Sequence, residues 1–496
     1  MRYTSTRNSK VSVLSYQAIL DGISADGGLY VPETLPQFDQ AQLKNLMDLD
    51  YQGKAVFILK AFLPEFSEDE LNDCVSKSIE RFEDKIVAPI VKLDDSVYIL
   101  ELWHGPTFAF KDVALTLLPN LLKLSKQKAQ VKDNILILTA TSGDTGKAAL
   151  EGFKNIDGIK IAVLYPTDNV SKHQKLQMMI QDGNNVLALG IKGNFDDAQT
   201  SVKKIFCDEQ AVAEFKKYGY ILSSANSINW GRLLPQIIYY FSTYLDLCEI
   251  GEIKLGEKIN FTVPSGNFGN ILAGFYAKKM GLPINKLICA SNSNNVLTDF
   301  LTQGRYDCRR ELEKTISPSM DILISSNTER LIYELSNRND EIVKARMQQL
   351  KTGGEYSLTE SELQEIKSTF FADYANDIQT KETLNNVYLE KDYLMDPHTA
   401  VAMTVYNSYL LSEEDPTKTV IISTANPYKF APDVLDALEY SVPNDDLKAI
   451  KKLNSKTGFY IPEDVIKAFE KPILHKKVVE KDEIMNELVD FINKDN

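Results

Sequence analysis

The spacing of hydrophobic and polar positions changes character several times along the chain. Up to about residue 90, apolar residues recur every three or four positions around Gln42–Leu49, Tyr51–Phe62 and Glu68–Arg81. That period predicts helices, so 1–90 is expected to form a mostly helical N-terminal lobe, with a turn at Asp26-Gly27-Gly28. From Val97 the texture becomes short continuous apolar runs: Ile135–Thr139, Ile159–Leu164, Val186–Ile191, Tyr220–Ser223, Ile259–Val263 and Leu287–Ala290. Amphipathic stretches alternate with them at Lys147–Lys154, Ser171–Gln181, Asp196–Asp208, Trp230–Leu247 and Ile271–Met280. Strands too apolar to face water on either side, joined by helices, predict an α/β fold with open parallel sheets covered by helices. The core is expected over 91–304. Residues 305–385 break the rhythm with charged helical segments, Glu341–Leu350 and Thr359–Thr369, and are expected to be a helical excursion outside the sheet. Within 386–440 the sheet resumes at Thr419–Ser423, and 441–496 is Lys/Glu-rich and expected to be a peripheral tail.

Length and charge narrow this picture. A chain of 496 residues is too long for one ordinary domain, and 44% hydrophobic content can bury a large core. A net charge of −14 argues against a nucleic-acid partner, which needs a basic face. The start, Met1–Arg7, has no signal-like apolar stretch, and no run approaches membrane-spanning length. Cys74, Cys207, Cys248, Cys289 and Cys308 show no paired spacing, so free thiols in a reducing compartment are expected. Four histidines without an HExxH pattern offer little to a metal, and no metal site is expected. These features favour a cytoplasmic enzyme or binding protein, with no membrane and no partner protein implied.

Candidate chemistry lies where apolar runs end in turns. The run ending at Trp103 is broken by Gly105-Pro106-Thr107, and Phe110, Val113, Ala114, Leu117, Leu118, Leu121 and Leu122 then repeat at helical spacing. Lys111 lies in the first turn of that expected helix, where the positive end of the helix dipole and partial burial should ease loss of its proton, as an amine nucleophile requires. Ser265-Gly-Asn-Phe-Gly-Asn270 follows an apolar strand and opens a helix, so consecutive backbone amides can converge on one anion. Its glycines lack the spacing of a dinucleotide fold. Thr141-Ser-Gly-Asp-Thr-Gly-Lys147 fails as a P-loop, because Thr141 and Ala148 stand where Gly and Ser or Thr are required. It remains a strand-to-helix loop suited to a carboxylate or phosphate, or simply a helix start capped by Ser142 or Asp144. Thr424 follows a strand end, where ligands of parallel sheets bind. A helix-start lysine, a phosphate cradle and a later hydroxyl are together what pyridoxal phosphate needs.

His104-Gly-Pro-Thr-Phe-Ala-Phe-Lys-Asp112, Thr141–Gly146, Asn226-Ser-Ile-Asn-Trp-Gly-Arg-Leu-Leu-Pro235 and Ser265–Asn270 resemble the threonine synthase family. Asp26-Gly-Gly-Leu-Tyr30, Asp396-Pro-His-Thr399 and Ser423-Thr-Ala425 match the same family, so the resemblance runs to about residue 440. It implies the tryptophan synthase β-like fold, with pyridoxal 5'-phosphate between two α/β lobes. It implies Lys111 as the Schiff-base lysine, Gly266, Asn267, Phe268, Gly269 and Asn270 at the cofactor phosphate, and Thr424 at the pyridine nitrogen. The implied substrate is O-phospho-L-homoserine and the products are L-threonine and phosphate. Substrate anions would be held by the helix start at Ser142, Gly143, Asp144 and Thr145, and by Arg232, a potential bidentate donor, with Asn229 beside it. A salt bridge at the start of the helix that begins at Trp230 is the alternative for Arg232. Rival readings are a phospholyase or amino-acid dehydratase of the same fold, or a non-catalytic sensor of phosphorylated amino acids.

Overall fold

The computed structural model describes residues 1–83, 86–141, 143–167, 172–193 and 195–493. Its centre is a six-stranded sheet in the order Phe370–Tyr374, Ile284–Ser291, Ile259–Pro264, Thr419–Ser423, Val97–Glu101, Ile90–Lys92. The first five strands pair parallel, and Ile90–Lys92 adds antiparallel to Val97–Glu101. Only four residues, Leu93–Ser96, separate that last pair, too few for a crossover, so the chain must return as a hairpin. A second, wholly parallel sheet runs Val478–Val479, Val186–Ile191, Ile159–Pro166, Asn134–Ala140, Tyr220–Ser223. Every strand of these two sheets that was expected from its apolar run is present, and the buried rows on both faces explain why the runs are continuous rather than alternating. The N-terminal residues form three helices after Asp39 and a small antiparallel sheet, Asn8–Leu14, Arg2–Ser5 and Tyr30–Pro32.

Three expectations are corrected. The segment 305–385 is not wholly outside the sheet: Phe370–Tyr374 pairs parallel with Leu287–Ser291 and forms the edge of the large sheet. A five-residue strand directly after a helix carries too little periodic signal to stand out. The tail 441–496 is not peripheral either. Its helix Asp446–Thr457 buries Ala449, Ile450 and Leu453 against the large sheet's cluster, while Val479, Ile484, Leu488, Phe491 and Ile492 complete the core of the second sheet. The single helix expected from Phe110 to Leu122 is two, Lys111–Leu115 and Leu118–Lys128. Pro119 sits in the first turn of the second one, where its missing N–H costs nothing, and it forces a new start there. The helix expected from Ser171 begins at Lys172 in the described residues, and Ser171 itself lies outside them.

Strand order decides what meets at the site. Ile259–Pro264, Thr419–Ser423 and Val97–Glu101 are neighbours although they lie far apart in the chain. All three run the same way, so Ser265–Asn270, Thr424 and the turn leading to Lys111 leave from one edge, the carboxyl ends where parallel sheets hold ligands.

Candidate active site

A cavity of about 1280 Å³ lies at these strand ends. Lys111, Asp144, Arg232, Gly266–Asn270 and Thr424 line it from the two sheets, and Ser319 and Met320 line it from the excursion. The turn before Lys111 is built by Asp112. Its carboxylate accepts from the Thr107 amide (2.8 Å) and hydroxyl (2.6 Å), and a side chain at Gly105 would collide with Asp112, 2.5 Å from its Cβ and 2.7 Å from Oδ2. The Phe110 amide then donates to the Thr424 carbonyl at 2.9 Å, which ties the lysine's helix to the end of the neighbouring strand.

Lys111 Nζ stands 3.5 Å from Ser319 Oγ and 3.7 Å from Asp144 Oδ2. Burial depresses the pKa of its ammonium; Asp144 opposes that shift, while Lys429 and Arg232 add to it. The direction is the one expected, but the main cause is not the helix dipole, because a five-residue helix has little of one. On the other side of Asp144, Lys429 Nζ lies 3.0 Å from Oδ1, with both side chains 2% exposed, and donates to the Thr107 carbonyl at 2.7 Å. Burial alone would raise the Asp144 carboxyl; Lys429 and Lys111 outweigh it and hold it below the usual carboxylate range. One buried carboxylate therefore faces two lysines, with Arg232 nearby.

The Ser265–Asn270 loop has spare donors. Gly266 passes so close to the excursion that an added Cβ would lie 2.8 Å from the Ser319 carbonyl. Phe268 is left-handed at φ 60°, and the helix Gly269–Lys279 starts immediately after it. Asn270 accepts from the Tyr239 and Tyr240 hydroxyls (2.7 and 2.9 Å) through Oδ1, which fixes its amide and leaves the buried Nδ2 with no protein partner. Arg232 is buried too. Its Nη1 donates to the Ala225 carbonyl at 2.7 Å, its Nε has no partner, and burial brings its pKa down to about 10. Among the described residues it forms no salt bridge, so of its two readings the anion site fits better. Unpaired donors inside a protein are costly, and an anion is what relieves them.

Other expected residues are placed differently. Ser142 lies outside the described residues. Asp144 does not cap the helix Asp144–Phe153; the Thr141 hydroxyl does, accepting from the amides of Gly143 (3.0 Å) and Gly146 (3.1 Å). The Gly143 amide is thereby spent inside the loop, while Gly143 and Thr145 still line the cavity. Asn229 is consumed by the fold: Oδ1 accepts from Gly231, and Nδ2 donates to the carbonyls of Ile19 and Ser224. Its expected substrate contact is withdrawn, because a side chain that caps one helix and staples another has no donor left. His104 bonds Glu101 at 2.8 Å, stacks on Trp103 and does not line the cavity.

Sequence reasoning missed two lining groups, Ser319 and His398, and it missed Lys429, which pairs with the lining residue Asp144. Lys429 sits five residues beyond Thr424, and nothing in its neighbours marks it off from a surface lysine. Ser319 comes from the segment set aside as an excursion. His398 accepts from the Ser319 amide at 3.1 Å through Nε2, and its Nδ1 faces Asp396 at 2.8 Å; the local Asp-Pro-His-Thr motif was its only signal.

Family models agree with this geometry. The model described as threonine synthase N terminus matches residues 2–79, and the model described as pyridoxal-phosphate dependent enzyme matches 85–355. Threonine synthase of Saccharomyces cerevisiae is 38% identical, covering 93% of this chain and 96% of the yeast protein. The chain belongs to the threonine synthase family. The human protein named threonine synthase-like 1 is 39% identical over 86% of this chain, which spans 58% of the human protein's length. The crystal structure of pyridoxal phosphate-bound threonine synthase from Brucella melitensis superposes with a TM-score of 0.88 at 35% identity, covering 99% of this chain and 100% of that one. The threonine synthase fold is thus present throughout, including the excursion and the tail, and the chain is a pyridoxal phosphate-dependent enzyme. No helix among the described residues is long and apolar enough to cross a membrane.

Proposed function

We propose that this chain converts O-phospho-L-homoserine and water to L-threonine and inorganic phosphate. The observation that supports it most is a buried lysine with a depressed pKa sharing one cavity with a loop of unpaired anion donors. Those residues fit pyridoxal phosphate: Lys111 for its aldehyde, Gly266–Asn270 for its phosphate, and the Thr424 hydroxyl for its ring nitrogen. When bound, the cofactor supplies an electrophilic carbon for the substrate amine and a ring that takes up the electron pair released at Cα. Lys111 is the base that removes the Cα proton, because burial shifts it toward the neutral amine and the cavity holds it beside the reacting carbon. Arg232, with its free Nε, and the Thr145 side of the helix start hold the substrate's own anions. Walls from both sheets and from the Pro318–Met320 turn limit the access of bulk water.

A cytoplasmic location belongs to the same reading. Cys74, Cys248, Cys289 and Cys308 are free thiols, as a reducing compartment allows, and the side chain of Cys207 lies outside the described residues.

Lys111→Ala is the direct test. Phosphate release from O-phospho-L-homoserine should fall by about 10²–10⁴-fold, and the visible absorbance band of the lysine-bound cofactor should vanish. A variant that keeps the band and its turnover removes Lys111 from this role. Wild-type turnover of serine, threonine or phosphothreonine in preference to phosphohomoserine would replace the reading with that of a related lyase.

A further inference from the structure

The cradle loop Ser265–Phe268 belongs to neither the strand before it nor the helix after it, so something else must fix the orientation of its peptide planes. The excursion does so. Ser325 Oγ donates to the Gly266 carbonyl at 2.8 Å. Asn327 reaches the next carbonyl, that of Asn267, with Nδ2 at 3.0 Å and with its own amide at 3.3 Å. The peptide bonds here are all trans, and in a trans peptide the C=O of one residue and the N–H of the next point in opposite directions. Drawing the carbonyls of Gly266 and Asn267 out toward the excursion therefore turns the N–H groups of Asn267 and Phe268 the other way. Neither amide has a hydrogen-bond partner among the described residues, and both residues line the cavity.

The donors are themselves held. Asn327 is fully buried, and its Oδ1 accepts from Arg330 Nη1 at 2.6 Å, which fixes the flip of the amide so that Nδ2 faces Asn267. Arg330, also fully buried, spends its other nitrogens on the carbonyls of Tyr30 (2.9 and 3.1 Å) and Ile228 (2.6 Å). Its guanidinium lies over the Trp230 ring, 5.6 Å from the centroid. The brace is thus anchored in the N-terminal sheet and in the segment that leads to Arg232. It also offsets a local cost, since Phe268 holds a left-handed backbone that a side chain disfavours.

We propose that Ser325, Asn327 and Arg330 are positioning residues that aim the Asn267 and Phe268 amides at the cofactor phosphate. The proposal rests on the cradle reading above and gives the 305–385 segment a part in cofactor retention. The test compares pyridoxal phosphate with pyridoxal, which carries the aldehyde but no phosphate. Apo-enzyme is titrated with each, and the absorbance of the lysine-bound form is followed. Ser325→Ala/Asn327→Ala should lose about tenfold of the preference for the phosphorylated form while binding pyridoxal as the wild type does. Asn327→Asp keeps an acceptor for Arg330 but sets a carboxylate against the Asn267 carbonyl, and should lose at least as much. If the double variant does not fold, Ser325→Ala alone should lose about threefold. Equal weakening of both ligands, or a preference that every variant retains, overturns the brace and leaves the cradle standing. A wild-type enzyme with no preference for the phosphorylated form would overturn the cradle itself.

Discussion

Lys111 and Lys429 face one buried carboxylate, that of Asp144, yet only the first could be found by reading the chain. Lys111 follows a turn that ends an apolar run and opens a helical pattern, and turn residues leave a mark in the sequence. Lys429 owes its role to Asp144, which arrives from the other sheet, and no local pattern records that meeting. The charges facing Lys111 are Asp144, Lys429, Arg232 and Asp112. Replacing Lys429 by Met removes a repulsion and leaves Asp144 with Lys111 as its nearer cation. Both changes favour the ammonium form, so the Lys111 pKa should rise. Capture of pyridoxal phosphate by the apo-enzyme, followed by stopped-flow absorbance, should shift its pH midpoint upward by about one unit or more. Lys429→Arg should restore the midpoint, and an unmoved midpoint in Lys429→Met would contradict the pairing.

At the scale of elements, strands were legible where they were long and apolar on both faces, and invisible where they were short edges. Phe370–Tyr374 and Val478–Val479 each add to the outside of a sheet, and an edge strand needs only one buried face or a few residues. The C-terminal helix Ile484–Asn493 shows the same limit, since its surroundings are Lys/Glu-rich and only its inner stripe is apolar. That stripe is well held. Ile484, Leu488, Phe491 and Ile492 join the buried cluster of the second sheet, and Lys160 from the strand Ile159–Pro166 donates to the carbonyls of Phe491 (3.0 Å) and Ile492 (3.3 Å) at the helix end. Leu488→Ala should cost about 3 kcal/mol of local stability. Hydrogen exchange should speed up in Val186–Ile191 and Ile159–Pro166 more than in the large sheet. Uniform behaviour across both sheets would mean that the tail does not support the second one.

At the scale of the whole molecule, one edge of the large sheet provides Lys111, the cradle and Thr424, and the second sheet closes the cavity with the Asp144–Phe153 helix start. A cofactor held at that edge should bind the folded state only. At a hundredfold excess over its Kd, pyridoxal phosphate should add about 2.7 kcal/mol to stability. Hydrogen exchange should slow in Gly266–Asn270 on reconstitution of the apo-enzyme. Unchanged exchange in that loop would contradict its part in holding the cofactor.

The sequence by itself determined the α/β class, the parallel strands and the loops at their ends, because period, turn residues and apolar runs are local properties of the chain. With the family resemblance it also determined the cofactor, and it singled out Lys111 as the candidate lysine. Only the tertiary structure decided that three strands distant in sequence stand side by side, that Asp144 is shared by two lysines, and that Asn229 serves the fold rather than the substrate. It also decided that Ser325 and Asn327, from an apparent excursion, hold the carbonyls of Gly266 and Asn267. Such facts depend on which distant groups are buried together, and burial sets both the cost of an unpaired donor and the pKa of a buried amine.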